Sequence, residues 1–230
     1  MASQGTGPDA AETALAAARL GRELSSEQAR LLSRYLSLLV KWNRKMNLTG
    51  PGDWRDILET RAADSWVLAD FLSAPPASAL FPEDDARLNI LDFGAGAGLP
   101  GLPLRMFWAR GTYHFIEARA KRAIFLRQAL AELKLANARV FEGRAETFPV
   151  ADCARAGFTL LLSRAFMPWP DFLAFSGSLF AEDYAVLLMT SEPPGEAAAP
   201  GGFSRLAMTA YQAAGKARYA SVFIPVSVSR

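Results

Sequence analysis

The chain has little of what metal binding and covalent catalysis need. In 230 residues there is one cysteine, Cys153, and one histidine, His114. A lone cysteine excludes an internal disulfide and a cysteine-cluster metal site, and suits a reducing cytoplasm. A lone histidine excludes a histidine-based zinc site. No metal is expected. No apolar run approaches the roughly 20 residues of a membrane span, so no membrane association is expected. Residues 1–10 are polar, contain proline and glycine, and lack the basic-then-apolar pattern of a secretory signal. They read as a disordered leader. Lysine is scarce too, 5 against 20 arginines, so the small net charge of +2 is carried mostly by guanidinium groups. Planar guanidinium forks suit phosphate and guanine. A GC-rich genome would give the same bias.

Apolar residues are plentiful: 51% of the chain, with five Trp and fifteen Phe. That is enough for a large core in one α/β domain with a small helical attachment. Residues 11–85 read as a helical cap and 86–230 as the main domain. In the cap, Leu31, Leu32, Tyr35, Leu36, Leu39 and Trp42 recur at helical spacing, with Ser25 or Ser26 as N-cap. A second helix is expected from about Asp56 to Leu72, then a linker rich in Pro and Ala from Ser73 to Asp85.

From residue 88 strand and helix alternate. Strands are expected at Leu88–Phe93, Tyr113–Glu117, Ala138–Glu142, Phe158–Ser163 and Tyr184–Thr190, with helices near 100–109, 120–135 and 169–180. That alternation predicts a mostly parallel sheet with helices on both faces. Ser191–Gly202 reads as a mobile loop. Two further strands are expected near Ser204–Ala210 and Ala220–Val228.

The strongest local signal is Asn89-Ile90-Leu91-Asp92-Phe93-Gly94-Ala95-Gly96-Ala97-Gly98-Leu99-Pro100-Gly101. A hydrophobic strand ends in an acid and then bends through glycines, which let the main chain turn tightly and approach a ligand. Pro100 suits the first turn of the next helix. A helix start at the carboxyl edge of a parallel sheet is where ligands of such folds sit. Gly96, Gly98 and Gly101 also spell the dinucleotide pattern G-x-G-x-x-G. Two features favour S-adenosylmethionine: the G-x-G-x-G register from Gly94, preceded by Asp92, and Glu117 at the end of the next strand. A carboxylate there can accept both ribose hydroxyls. NAD and a purely structural turn remain the alternatives.

The acceptor is read from the segment after the fourth strand, Ser163-Arg164-Ala165-Phe166. It is not the Asn/Asp-Pro-Pro-Tyr/Phe of enzymes acting on exocyclic amines, and no Pro-Cys stands there for attack on cytosine. Guanine N7 has a free lone pair, so its methylation needs placement and no proton removal. Arg164 can hold a guanine edge or a phosphate, contact the cofactor, or form a surface salt bridge. Phe166 or Trp169 can stack on a base or pack in the core. Cys153 is expected in a loop and His114 in the core, both incidental. Lys41, Arg44 and Lys45, with Arg119, Lys121, Arg122 and Arg127, form two basic clusters. They are solvated faces, or an RNA-binding stripe if they flank one cleft.

These segments resemble the RsmG (GidB) family, the guanine-N7 methyltransferases of bacterial 16S ribosomal RNA. The likeness lies in Trp42-Asn43-Arg44-Lys45-Met46-Asn47-Leu48-Thr49, Asp64-Ser65, the glycine stretch through Gly98-Leu99-Pro100-Gly101-Leu102-Pro103-Leu104, Lys121-Arg122-Ala123-Ile124-Phe125-Leu126, Gly143-Arg144-Ala145-Glu146 and Ser163-Arg164-Ala165-Phe166. The resemblance implies a class I S-adenosylmethionine-dependent methyltransferase, a Rossmann-like seven-stranded sheet with an N-terminal helical extension. S-adenosylhomocysteine would be the product. The substrate would be ribosomal RNA or the small ribosomal subunit, with the enzyme a monomer. Gly94, Leu99, Ala145, Glu146 and Arg164 would line the cofactor site, beside Asp92, Gly96, Gly98 and Glu117. Arg144 and Arg164 would face RNA and orient the acceptor, or hold the cofactor end of the pocket, and Arg44, Lys45, Lys121 and Arg122 would meet RNA. The chain departs from the family pattern at four places. Arg61 stands for a His, Glu117 for an Asp and Thr190-Ser191 for Lys-Gly, and Phe223-Ile224-Pro225-Val226 replaces a basic ending. A divergent paralogue with another RNA or a small-molecule acceptor, or a binder without catalysis, would share the same fold.

Overall fold

A computed structural model of the chain describes residues 7–50, 52–195 and 202–226. The expected leader falls largely on residues outside this set. The same holds for half of the expected 191–202 loop and for the end of the last expected strand.

Helix α1 (Ala10–Arg19) is capped by Asp9, and α2 (Ser26–Met46) by a reciprocal box in which Ser25 and Gln28 bond each other's main-chain N–H. Such caps satisfy donors that the helix leaves free. Asn47, at φ 49°, ends α2. Asn43 then ties down the turn beyond: its amide donates to Gly50 O at 2.7 Å and its carbonyl accepts Thr49 N–H at 2.9 Å. The expected single helix over 56–72 is instead three pieces: α3 (Trp54–Ile57), a π-helical turn Leu58–Ala62 and α4 (Asp64–Ser73). The expected linker is packed structure. Its short turn Ala77–Leu80 buries Ala77, and Phe81 packs edge-on and tilted against Phe158 and Trp108.

The main sheet begins with β1 (Leu88–Phe93), followed by α5 (Gly101–Phe107), β2 (Thr112–Glu117), α6 (Ala120–Leu133) and β3 (Ala138–Glu142). Then come α7 (Val150–Ala156), β4 (Phe158–Arg164), α8 (Trp169–Leu179) and β5 (Tyr184–Thr190). The chain closes with a hairpin, β6 (Phe203–Ala213) and β7 (Lys216–Pro225). Cys153 therefore lies in helix α7, buried, and not in the expected loop. The strand order is β3-β2-β1-β4-β5-β7-β6, with only β7 antiparallel to its neighbours.

Strand residues alternate between two cores. Leu88, Ile90, Leu160, Leu162 and Leu187 face the N-terminal helices, α5 and α6. Leu91, Phe93, Leu161, Val186 and Leu188 face α7 and α8. Helix α2 packs across α5 and α6, with Trp42 edge-on to Phe125. Its Leu32, Leu36 and Leu39 are fully buried, each stabilising the fold by roughly 2 kcal/mol. The first core thus runs without a break from the N-terminal helices into the sheet.

Candidate active site

The chain crosses from one side of the sheet to the other between β1 and β4. Ligands of open α/β sheets bind at the carboxyl ends of the strands at such a switch. The glycine stretch leaves β1 there. The N–H groups of Gly94 and Ala95 both donate to Ile116 O, at 3.0 and 3.1 Å, which pins the bend to β2. Gly96, at φ +58°, donates its N–H to Glu117 Oε2 at 2.8 Å, and Glu117 Oε1 accepts Arg119 N–H at 2.8 Å. A carboxylate has about four acceptor positions, so the buried Glu117 keeps capacity for further donors on the side where it lines a cleft. A Cβ on Gly96 would lie in ordinary van der Waals contact, 3.6 Å from Gly94 O and 3.7 Å from Arg122 Nη1. That cleft measures about 300 Å³ and is lined by Gly94, Glu117, Arg119, Arg122, Ala145 and Phe166, among others.

The N-terminal helices hold this bend from below. Tyr35 of α2, fully buried, donates its hydroxyl to Ala97 O at 2.8 Å. Ser65 of α4 donates to Pro100 O at 2.9 Å. In the sequence Tyr35 stands only as an apolar position. Its helical spacing gives no sign that the hydroxyl clamps a loop 62 residues away.

A second cleft, about 390 Å³, opens beyond β4 and β5. It is lined by Asp64 from α4, Ser163–Ala165, Met167 and Trp169 after β4, Leu188–Pro193 after β5, and Tyr211 and Arg218 from the hairpin. Ala165 lines both clefts. Its φ of +56° is unusual for a residue with a side chain. This twist sends Arg164 to the second cleft and Phe166 to the first. Phe166 packs beside Gly94 and against Phe93, Phe172 and Phe175. Trp169 stacks on Phe223 at 6.0 Å.

Arg164 is not a free cation. Its Nη2 lies 2.9 Å from Asp64 Oδ2, and its Nη1 donates to Arg61 O at 3.3 Å. The Asp64 side chain is 1% exposed. Burial raises its pKa, opposed by Arg164 and then by Arg218, Tyr211 and Arg61. Burial lowers the pKa of Arg164, opposed by Asp64. The surface salt bridge offered as one reading of Arg164 is thus a buried pair, with Arg164 in the wall of the second cleft.

The remaining candidates divide between the first cleft, the interior and the surface. Gly98 shapes the turn into α5, and Leu99 is half-buried against the core. Asp92, expected at the cofactor, turns its carboxylate into the interior beneath α5: it accepts the Tyr113 hydroxyl at 3.1 Å, and a Cβ on Gly101 would lie 2.3 Å from it. Burial pushes its pKa up to about 7. Arg122, grouped with the RNA-facing cations, has its guanidinium at the glycine bend. Arg44, Lys45 and Lys121 are exposed. Arg144 and Glu146 are exposed beyond β3, and β2 and β1 lie between β3 and β4. At about 4.8 Å per strand, Arg144 stands on the side of the first cleft, roughly 14 Å from β4, and does not join Arg164. His114 is held neutral by burial, its pKa lowered to about 4, with Nε2 3.9 Å from Cys153 Sγ.

Among the described residues, no group of three or more His, Cys, Asp or Glu could hold a metal, and no helix is long and apolar enough to cross a membrane. The fold is that of known methyltransferases. The O-methyltransferase TomG of Streptomyces achromogenes, solved with S-adenosylmethionine, aligns over 86% of this chain and 90% of its own, at TM-score 0.55 and 14% identity. The METTL16 MTase domain aligns over 84% and 96%, at TM-score 0.51 and 11% identity. Two relatives are called ribosomal RNA small subunit methyltransferase G. The one from Nitratidesulfovibrio vulgaris is 45% identical over 177 residues, 75% of each chain. The one from Oleidesulfovibrio alaskensis is 38% identical over 210 residues, 87% of each. The family profile described as GidB, rRNA small subunit methyltransferase G, matches residues 28–199. With its glycine bend, its paired clefts and that match over most of its length, this chain belongs to the GidB family of small-subunit rRNA methyltransferases.

Proposed function

We propose that the chain transfers a methyl group from S-adenosylmethionine to N7 of a guanine in 16S ribosomal RNA. The observation that carries this reading is the pair of clefts sharing Ala165 as their wall. One suits a nucleoside with a ribose, the other an RNA nucleotide, and nothing but a thin turn separates them. The first cleft fits the cofactor on three counts: Glu117 has acceptor capacity facing it, Gly94 lines it with bare main chain, and Phe166 offers an apolar flank. Gly94, Gly96, Gly98 and Glu117 would hold it, with Ala145 and Arg122 at its edge. S-adenosylmethionine supplies the sulfonium methyl group and leaves as S-adenosylhomocysteine.

The second cleft offers no free base. Its carboxylates among the described residues are Asp64, committed to Arg164, and Glu192, exposed at the rim. An acceptor with a ready lone pair fits such a site, because positioning alone makes it reactive. Guanine N7 is that acceptor. Arg164, fixed by Asp64 and Arg61 O, would orient the base, and Met167 and Trp169 would exclude water beside it. Exposed Arg44, Lys45 and Lys121, on α2 and α6, which pack together next to the first cleft, would meet the RNA backbone. Arg122 at the bend would serve the cofactor instead.

Small ribosomal subunits from cells lacking the gene, incubated with the protein and S-[methyl-³H]adenosylmethionine, should gain label. Nucleoside mass spectrometry should find it as 7-methylguanosine. Label in another nucleoside, or only in small molecules, would discard the N7 assignment.

A further inference from the structure

The second cleft is completed by a segment outside the family match. The profile ends at residue 199, and the β6–β7 hairpin begins at Phe203. Within the hairpin Tyr211 and Arg218 are direct cross-strand partners, so both side chains rise from the same face into the cleft. The end of β5 carries no cation: Thr190 and Ser191 stand there, with Thr190 paired to Tyr219. Arg218, one residue along β7, is the charge at that edge.

Asp64 is in contact with Arg164, and Arg218 lies near enough to act on its charge without touching it. Arg218 has no acidic partner within 4 Å among the described residues. Its Nε is buried and makes no hydrogen bond, while the Tyr211 hydroxyl beside it is turned to Asp64. Buried donors without acceptors are costly, and a guanidinium edge matches two oxygens of a phosphate. The spacing fits one nucleotide. β4, β5 and β7 are successive neighbours, about 4.8 Å apart, which puts Arg218 roughly 10 Å from the wall at Ala165. A base against that wall would carry its sugar and phosphate towards β7.

We propose that Arg218, with Tyr211 beside it, holds the backbone phosphate of the nucleotide being methylated. This rests on reading the second cleft as the acceptor site. Arg218 is a positioning residue there: it touches the substrate away from the reacting atom.

Two measurements test it. In methyl transfer to small ribosomal subunits, Arg218→Ala should lose about tenfold in kcat/KM, mostly through KM, as expected for one lost charge-assisted contact. Arg218→Lys should recover part of that, and adenosylhomocysteine affinity should stay within about twofold of the parent, which shows that the fold is intact. Separately, the adenosylhomocysteine-loaded protein is titrated with guanosine 5′-monophosphate and with guanosine, followed by NMR. The monophosphate should bind Arg218→Ala about tenfold more weakly than the parent, with guanosine unchanged. Unaltered kinetics together with unaltered monophosphate binding would overturn the proposal. So would an equal loss for guanosine, because the arginine would then serve the base or the fold. A parent protein that labels no ribosomal RNA would defeat the functional reading, while the comparison of the two guanosine ligands would still decide the role of Arg218.

Discussion

The two clefts are built by opposite means. The first rests mainly on main chain: a glycine bend, the carbonyl of Ile116 and one carboxylate lie within residues 94–119, and Arg122, Ala145 and Phe166 close it. The second is a side-chain object, gathered from Asp64, Arg164 and the hairpin pair Tyr211 and Arg218, three regions far apart in the chain. A main-chain site depends on backbone torsions that only certain residues allow. A side-chain site depends on which distant elements meet. The first kind is rigid as soon as its strands pair. The second is only as good as the buried charges that fix it.

Substitutions should break the two sites differently. The largest effect is expected at Gly96→Asp. The new side chain sits at a strained φ of +58° beside Arg122 and sets a second carboxylate near Glu117, which holds the Gly96 N–H. Adenosylhomocysteine binding by calorimetry should vanish while circular dichroism stays native. Retained binding would mean the bend does not face the ligand.

Next comes Arg164→Ala, which leaves Asp64 buried without its partner. Such losses cost about 3–5 kcal/mol, so chemical denaturation should show a marked drop in stability, with turnover falling as well. The double variant Asp64→Leu/Arg164→Met should recover most of the stability and none of the turnover. If the double variant regains activity, the pair serves the fold alone.

A smaller effect, and of the other sign, is expected at Asp92. Its folded pKa of about 7 lies above its ordinary value of 3.8 because burial penalises the charged form. An acid whose pKa rises on folding binds more protons when folded, so its contribution is present below about pH 4 and is lost as pH climbs to about 7. The gap is worth at most about 4 kcal/mol. Asp92→Asn should therefore melt above the parent at pH 8, with the difference fading by pH 4. A constant difference across that range would refute the burial account.

The smallest is Tyr35→Phe. Ala97 O would lose the hydroxyl that donates to it, costing roughly 1–3 kcal/mol. Cofactor affinity should weaken severalfold with little change in the acceptor KM, which ties the N-terminal helices to the first cleft.

This contrast also explains what is legible in the sequence. The first cleft is legible because glycine and the acid at the end of β2 announce it within one short stretch. So is the sheet: each of its five parallel strands is a short apolar run bounded by turn residues, and the expected spans differ from the observed ones by a residue or so. Asp92 misleads because strand ends alternate in facing, and nothing local shows that its carboxylate points down to Tyr113. Arg122 misleads because basic residues on one helix look alike until the helix is docked. Arg164 stands out by its position after β4, yet its partner Asp64 lies far earlier in the chain, in a helix with no local mark for it. The clamp from Tyr35 is hidden because a tyrosine at a core spacing reads as a hydrophobe. The hairpin is expected as two strands, but their joining the second cleft depends on β7 inserting beside β5, and pairing order is not written in either strand.

In this reading the bend at Gly94–Gly98 and Glu117 cradles the cofactor. A crystal structure of the protein soaked with S-adenosylhomocysteine tests it most directly. The ribose hydroxyls should lie within hydrogen-bonding distance of Glu117, with the adenosyl group over Gly96, between Phe166 and Arg122. Ligand density elsewhere, with Glu117 bonded only to the N–H groups of Gly96 and Arg119, would contradict it.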